Sequence, residues 1–217
     1  QSVVPPLHPT MPITINNGDT GFNQTEGGNY QLVIKATNAG GGTSPEQTYY
    51  LVYDVKGPQI KVIYPVDNAK LDRDSKLLEI SGTAFDAGVG LKTPAPLTVT
   101  LTKEGGSPQT VNLADNGENW KSQPIDLSGS NYGDGKYTLT VTAQDTFDQP
   151  TTVTRTFVYD AAPPAITGLT VDGIAVTNGS KVYTKNGTVT VSGTVVETYE
   201  VKEFTIKGQT MPLSAGA

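Results

Sequence analysis

Gly135-Lys136-Tyr137-Thr138-Leu139-Thr140-Val141-Thr142-Ala143-Gln144-Asp145 alternates apolar and polar residues without a break. In an extended chain Tyr137, Leu139, Val141 and Ala143 face one way and Thr138, Thr140 and Thr142 the other. That is the period of a half-buried strand, not of a helix. The same pattern stands earlier as Gly28-Asn29-Tyr30-Gln31-Leu32-Val33-Ile34-Lys35-Ala36-Thr37-Asn38, with Tyr30 and Tyr137 107 positions apart. Tyr-Leu-Val-Tyr-Asp at 50–54 returns as Thr-Phe-Val-Tyr-Asp at 156–160, and Gly57-Pro58-Gln59-Ile60 as Pro163-Pro164-Ala165-Ile166, both at an offset of 106. Leu78-Glu79-Ile80-Ser81-Gly82-Thr83-Ala84 returns as Val189-Thr190-Val191-Ser192-Gly193-Thr194-Val195 at an offset of 111. A period near 106 is one domain, not one hairpin or solenoid turn.

Composition agrees. The 217 residues suffice for about two domains with separate cores. Glycine (24) and proline (15) are frequent, as expected of many short strands joined by tight turns. No cysteine is present, which removes disulfides and thiolate metal sites and fits a bacterial secreted protein. The net charge of −6 and the lack of a Lys/Arg cluster speak against nucleic acid and against anionic membranes. No apolar run approaches the ~18 residues of a membrane-spanning helix. No charged-then-apolar segment opens the sequence, so an export signal would lie upstream of Gln1.

Strand-like runs follow at 61–64, 77–81, 98–101, 153–159, 188–192 and 202–206. Gly/Asn/Asp/Pro clusters separate them, including Asn116-Gly117, Asn178-Gly179 and Asn186-Gly187, where a tight hairpin would use positive φ. No amphipathic helix of ten residues is evident. One complete unit spans about 58–160, with strands near 60–64, 77–82, 97–102, 109–113, 119–125, 136–143 and 152–159, in order A to G of an immunoglobulin-like sandwich. Tyr137 opens strand F, the place of a corner tyrosine, though it also reads as an ordinary half-buried strand aromatic. Trp120 reads as core, with a surface carbohydrate platform as the alternative.

The expected fold is all-β: tandem immunoglobulin-like β-sandwiches, one complete and the flanking units partial. The expected units are 1–56 (C-terminal strands), 57–161 (complete) and 162–217 (N-terminal strands). In the complete unit 79 residues separate Pro58 from Tyr137, whereas 29 precede Tyr30 and 53 follow Pro164. The expectation is a segment of a longer chain. The alternative is that neighbouring chains, joined head to tail, supply the missing halves.

Ile80-Ser81-Gly82-Thr83-Ala84-Phe85-Asp86, Gly88-Val89-Gly90, Trp120, the run from Asp134 to Asp145, Phe157-Val158-Tyr159-Asp160 and Pro163-Pro164 together resemble the tandem bacterial Ig-like domains of large surface proteins and adhesins. The likeness covers 58–160 fully and both flanks in part. It departs where Thr146-Phe147-Asp148 follow the strand-F aspartate in place of Gly-Asn, and where Asn38 stands for Asp145. It implies a non-catalytic spacer or adhesive segment, outside the cell or on its surface. Its partners would be neighbouring Ig-like domains and an unknown surface protein or glycan. The alternative is an accessory module of a secreted carbohydrate-active enzyme, which a row of exposed aromatics would favour.

Catalytic chemistry finds little support. The only imidazole is His8, in a proline-rich stretch, and no nucleophile elbow, HExxH or phosphate loop occurs. The three sequons, at Asn23, Asn178 and Asn186, read as polar turns. One site is suggested by topology. In an Ig-like sandwich the B–C and F–G loops share the end that the preceding unit feeds. Asp54, closing the first unit, should therefore meet Asp86 in B–C and Asp145 and Asp148 in F–G. Oxygen ligands from three segments suit Ca²⁺, and interdomain calcium is what the resemblance implies as well. The other reading of these aspartates is as Asx-turn residues. Asp160 and Glu197 repeat the arrangement at the next junction without a complete F–G loop, so calcium should bind there more weakly or not at all.

Overall fold

A computed structural model describes residues 23–25 and 27–206, with the backbone of 209 and 210. His8 lies outside the described residues. Among them the only helical element is a 3-10 turn at Arg73–Ser75, so the chain is all-β. Strands β1 (Gly28–Ile34) and β2 (Gln47–Tyr53) form an antiparallel hairpin. Next come β3 (Gln59–Tyr64), β4 (Ala69–Asp72), β5 (Leu77–Leu78), β6 (Ser81–Phe85) and β7 (Leu97–Lys103). They are followed by β8 (Gln109–Thr110), β9 (Leu113–Asp115), β10 (Asn119–Ser122), β11 (Ile125–Asp126), β12 (Gly135–Gln144) and β13 (Pro150–Asp160). Strands β14 (Ala165–Val171), β15 (Ile174–Ala175) and β16 (Val191–Val196) form a separate sheet, and β17 (Thr205–Ile206) pairs with β18 (Gln209–Thr210).

A sandwich-like body occupies the middle of the chain. One sheet runs β3-β6-β10-β9 and the other β4-β13-β12-β7-β8. Val62, Ala84 and Trp120 of the first share one core with Val99, Leu101, Leu139, Val141 and Phe157 of the second. The alternation at 137–143 turns out as expected, with Tyr137, Leu139, Val141 and Ala143 fully buried and the intervening threonines half-buried. On the outer face Thr98, Thr100 and Thr102 of β7 pair across Thr142, Thr140 and Thr138 of β12, which pair in turn with Thr152, Thr154 and Thr156 of β13. Such cross-strand threonine pairs stabilise a sheet modestly while keeping hydroxyls toward water.

Two expected strands are divided. The run 77–82 splits because Leu77–Leu78 pairs with β11, whereas Ser81–Phe85 pairs with β3 and β10. The run 109–113 is shared between β8 and β9, in different sheets. Strand β4 was not anticipated. It pairs parallel to β13, and of its four residues only Leu71 is buried, so no alternation announces it. Among the Asn-Gly pairs of the described residues only Gly179 adopts positive φ. Asn116 serves otherwise, since its amide accepts from Leu97 N–H and donates to Leu97 C=O.

Trp120 is core, 1% exposed, which removes the platform reading for this ring. It explains Gly82, where a Cβ would lie 2.3 Å from Trp120 Cζ2 and 2.2 Å from the Lys61 carbonyl oxygen. Tyr137 stacks on Phe157 at 5.2 Å, and its hydroxyl donates to the carbonyl of Gly133, four residues upstream, as a corner tyrosine would.

Two strand pairs outside the central body repeat registers found within it. Hairpin β1–β2 pairs Gly28 with Tyr53 and Tyr30 with Leu51, where β12–β13 pairs Gly135 with Tyr159 and Tyr137 with Phe157. Likewise β14–β16 pairs Ile166 with Val195, where β3–β6 pairs Ile60 with Ala84, and both pairs then bulge. Burial differs. Leu139 is 0% exposed and its counterpart Leu32 39%; Ile80 is 0% exposed and its counterpart Val191 51%.

Burial, with Tyr132 and Asp134 close by, pushes the Tyr137 phenol from 10.0 up to about 12. A raised folded-state value means this contribution to stability is full below pH 10 and is lost as pH climbs through about 12. Tyr137→Phe should cost about 0.5–1.5 kcal/mol at pH 8 through the lost hydrogen bond. In urea unfolding the deficit should shrink toward pH 12; a constant deficit would show that the phenol does not titrate with folding.

Candidate metal centre at the first junction

Three strands end at one place. Strand β2 ends at Tyr53 and delivers Asp54; β6 ends at Phe85 and delivers Asp86; β12 ends at Gln144 and delivers Asp145. One carboxylate oxygen from each lies within 4.8 Å of the others. Asp145 is fully buried, Asp54 is 8% exposed and Asp86 is half-buried.

Backbone N–H groups aim all three. Asp54 accepts from Val89 (2.8 Å) and Lys56 (3.2 Å), Asp86 Oδ1 from Gly88 (3.1 Å) and Gly90 (2.8 Å), and Asp145 Oδ1 from Phe147 and Gln149 (both 2.8 Å). The Asp86 and Asp145 bonds are Asx-turns, so that reading of the aspartates is right as far as it goes. It leaves Asp145 Oδ2, which is buried with no hydrogen-bond partner. A buried, unsatisfied carboxylate oxygen is costly, and unit charges about 4 Å apart repel by roughly 4 kcal/mol at an effective dielectric near 20.

The loops that carry these groups are stitched together. Thr146 N–H donates to Gly90 C=O at 3.0 Å, and Lys92 N–H to Gln144 C=O at 3.0 Å. The hairpin abuts them closely. A Cβ on Gly88 would sit 2.3 Å from Asp54 Cγ, one on Gly27 2.8 Å from the Ala87 carbonyl oxygen, and one on Gly57 2.9 Å from the Gln149 carbonyl oxygen.

Of the four aspartates singled out in the sequence, Asp54, Asp86 and Asp145 converge and Asp148 stands apart. The carboxylate of Asp148 pairs with Lys92 Nζ, and its residue takes positive φ (64°). Lys92 was not anticipated, since a lysine two residues after Gly88-Val89-Gly90 looks like ordinary loop charge. Gly88 and Val89 were visible in the sequence but carried no assigned role.

The segment after β13, expected from the sequence to repeat this arrangement, is built differently. Asp134 accepts from Ala161 N–H (2.8 Å) and Ala162 N–H (3.0 Å), so a carboxylate grips the linker itself. Lys70 of β4 pairs with Glu200. Partial burial, then the charges of Glu197 and Asp134, push the Asp160 carboxyl up from its ordinary value. Among the described residues Asp160 and Glu197 belong to no cluster of three potential ligands.

No protein-family profile matches the chain, and no curated protein is a significant match.

Spacing and burial fit a cation. Oxygens bound at 2.3–2.6 Å to one Ca²⁺ lie no more than about 5 Å apart. Asp145→Asn tests this by sign. The amide keeps an acceptor at Oδ1 and sets a donor beside Asp54 and Asp86. In chelator the variant should melt at or above the parent, by about 1 kcal/mol. In calcium the parent should melt higher. The same order in both buffers would exclude a cation at this cluster.

Proposed function

We propose that this chain is a non-catalytic segment of tandem Ig-like sandwiches, a spacer or adhesive stalk in which calcium locks the first junction. The observation that carries the reading is the cluster Asp54–Asp86–Asp145. Asp54 lies before the linker 55–57 and the other two lie after it, so a cation held by all three would tie β2 to the central sandwich. Three carboxylates supply part of the six to eight oxygens calcium takes, with water and backbone carbonyls as the usual remainder.

The repeat supports the modular part of the proposal. Hairpin β1–β2 stands where strands F and G of the preceding unit would lie, and β14–β16 where A and B of the following unit would lie. On this reading the units are 1–56, 57–161 and 162–217. Short linkers, with prolines at Pro58, Pro163 and Pro164, limit the hinge. The setting is extracellular or at a bacterial cell surface, with neighbouring Ig-like domains as structural partners. An accessory carbohydrate module finds less support. Trp120 and Tyr159 are buried, Tyr132 packs on the core, and the adjacent Tyr49 and Tyr50 face opposite sides of β2, so they make no row.

Calcium should raise the melting temperature, since a ligand at 100 times its Kd stabilises by about 2.7 kcal/mol. Small-angle scattering should show a narrower spread of angles between the hairpin and the sandwich in calcium than in chelator. Asp86→Asn should blunt both responses. If chelator changes neither the melting curve nor the scattering, the proposal fails.

A further inference from the structure

The flank of the central sandwich where the chain crosses between its sheets carries two adjoining recesses. One, of about 340 Å³, is lined by Asn112, Gln123, Asp126, Ser130, Asn131 and Tyr132, with the buried Val111 and Ile125 as its apolar part. The other, of about 540 Å³, is lined by Tyr64, Leu77, Glu79, Ser81 and Lys121. Pro124 lines both. Each volume falls within the ~300–1,000 Å³ of small-molecule sites. Every lining residue lies between Tyr64 and Tyr132, inside the central body, so neither recess depends on what precedes β1 or follows β18.

The chemistry of the lining selects an occupant. Elsewhere asparagine amides are spent on the fold: Asn38 accepts from Gly40 and Gly42 N–H, and Asn116 bridges the N–H and C=O of Leu97. The side-chain amides of Asn112, Gln123 and Asn131 and the hydroxyl of Ser130 make no hydrogen bond among the described residues. Asp126 accepts from Ser128 through Oδ1, which leaves Oδ2 as an acceptor. An amide both donates and accepts, as a sugar hydroxyl does, so several together match vicinal hydroxyls. No lysine, arginine or histidine lines this recess, which disfavours phosphate, sulfate and other anions. In the second recess Lys121 is neutralised by Glu79 at 2.6 Å, and Tyr64 offers a ring that is 38% exposed. The face of such a ring is weakly negative and suits the C–H face of a pyranose. One ring serves one sugar, so no aromatic row is required. A peptide added as an extra strand is disfavoured, because the sheet edges on this flank, β8 and β9, are two and three residues long.

We propose that the two recesses joined at Pro124 bind consecutive units of a neutral oligosaccharide. The amides of Asn112, Gln123 and Asn131 hold one unit, and Tyr64 stacks on the next. The site deepens the adhesive half of the proposed function and rests on it only for its setting, since neither calcium nor a neighbouring unit takes part.

Saturation-transfer NMR and isothermal titration test this on the 217-residue chain. The ligands are neutral hexasaccharides of glucose, mannose, galactose and xylose, with hexagalacturonate as the charged control. At least one neutral hexasaccharide should bind with a Kd on the order of 0.1–1 mM, in calcium and in chelator alike, and hexagalacturonate should not. Asn112→Ala combined with Gln123→Ala should weaken binding about tenfold. Tyr64→Leu should weaken the hexasaccharide but leave the saturation transfer to its monosaccharide unchanged, because the ring belongs to the second recess. All three positions are exposed, and a melting transition like the parent's checks the fold of each variant. No neutral sugar bound, hexagalacturonate bound equally well, or hexasaccharide binding that survives either change would each overturn the proposal. Sugar binding with no effect of calcium on melting would sink the calcium junction and leave this site standing; calcium stabilisation without sugar binding would do the reverse.

Discussion

The buried Oδ2 of Asp145, closed off beside two other carboxylates, is the constraint around which the first junction is arranged. Backbone N–H groups hold one oxygen of Asp145 and one of Asp86, and grip Asp54 as well, which fixes directions but does not discharge the cluster. Strand lengths serve the same end. Strand β12 must stop at Gln144, β6 at Phe85 and β2 at Tyr53 for the three acids to meet. Gly88 must lack a side chain, because Asp54 fills the space where one would go.

The segments that follow β2 and β13 are held in different ways. Near Asp160, Asp134 accepts from the N–H groups of Ala161 and Ala162, and Lys70 pairs with Glu200. At the first junction, the nearby lysine is committed elsewhere, with Lys92 on Asp148 and Gln144. On the proposed reading a divalent cation adds positive charge where three carboxylates converge.

Much of this was legible in the sequence. The alternation at 137–143 determined a strand and its buried face, because period 2 leaves no freedom once one side is apolar. The repeat offsets reappear as register, Tyr30 with Leu51 like Tyr137 with Phe157. Three of the four candidate ligands converge, because topology alone brings strand ends together. What stayed hidden depends on contacts between distant side chains. The removal of Asp148 by Lys92 is an ion pair across 56 residues, and β4 is recognised only through its parallel pairing with β13. The breaks within 77–82 and 109–113 reflect a chain that changes sheets, which no local propensity encodes.

The central claim is that Asp54, Asp86 and Asp145 hold one cation between two structural units. Isothermal titration of the chelator-stripped chain with calcium tests it most directly. The account predicts one site per chain, abolished by Asp54→Asn even though that residue lies outside the central sandwich. No binding, or binding that survives Asp54→Asn unchanged, would contradict it.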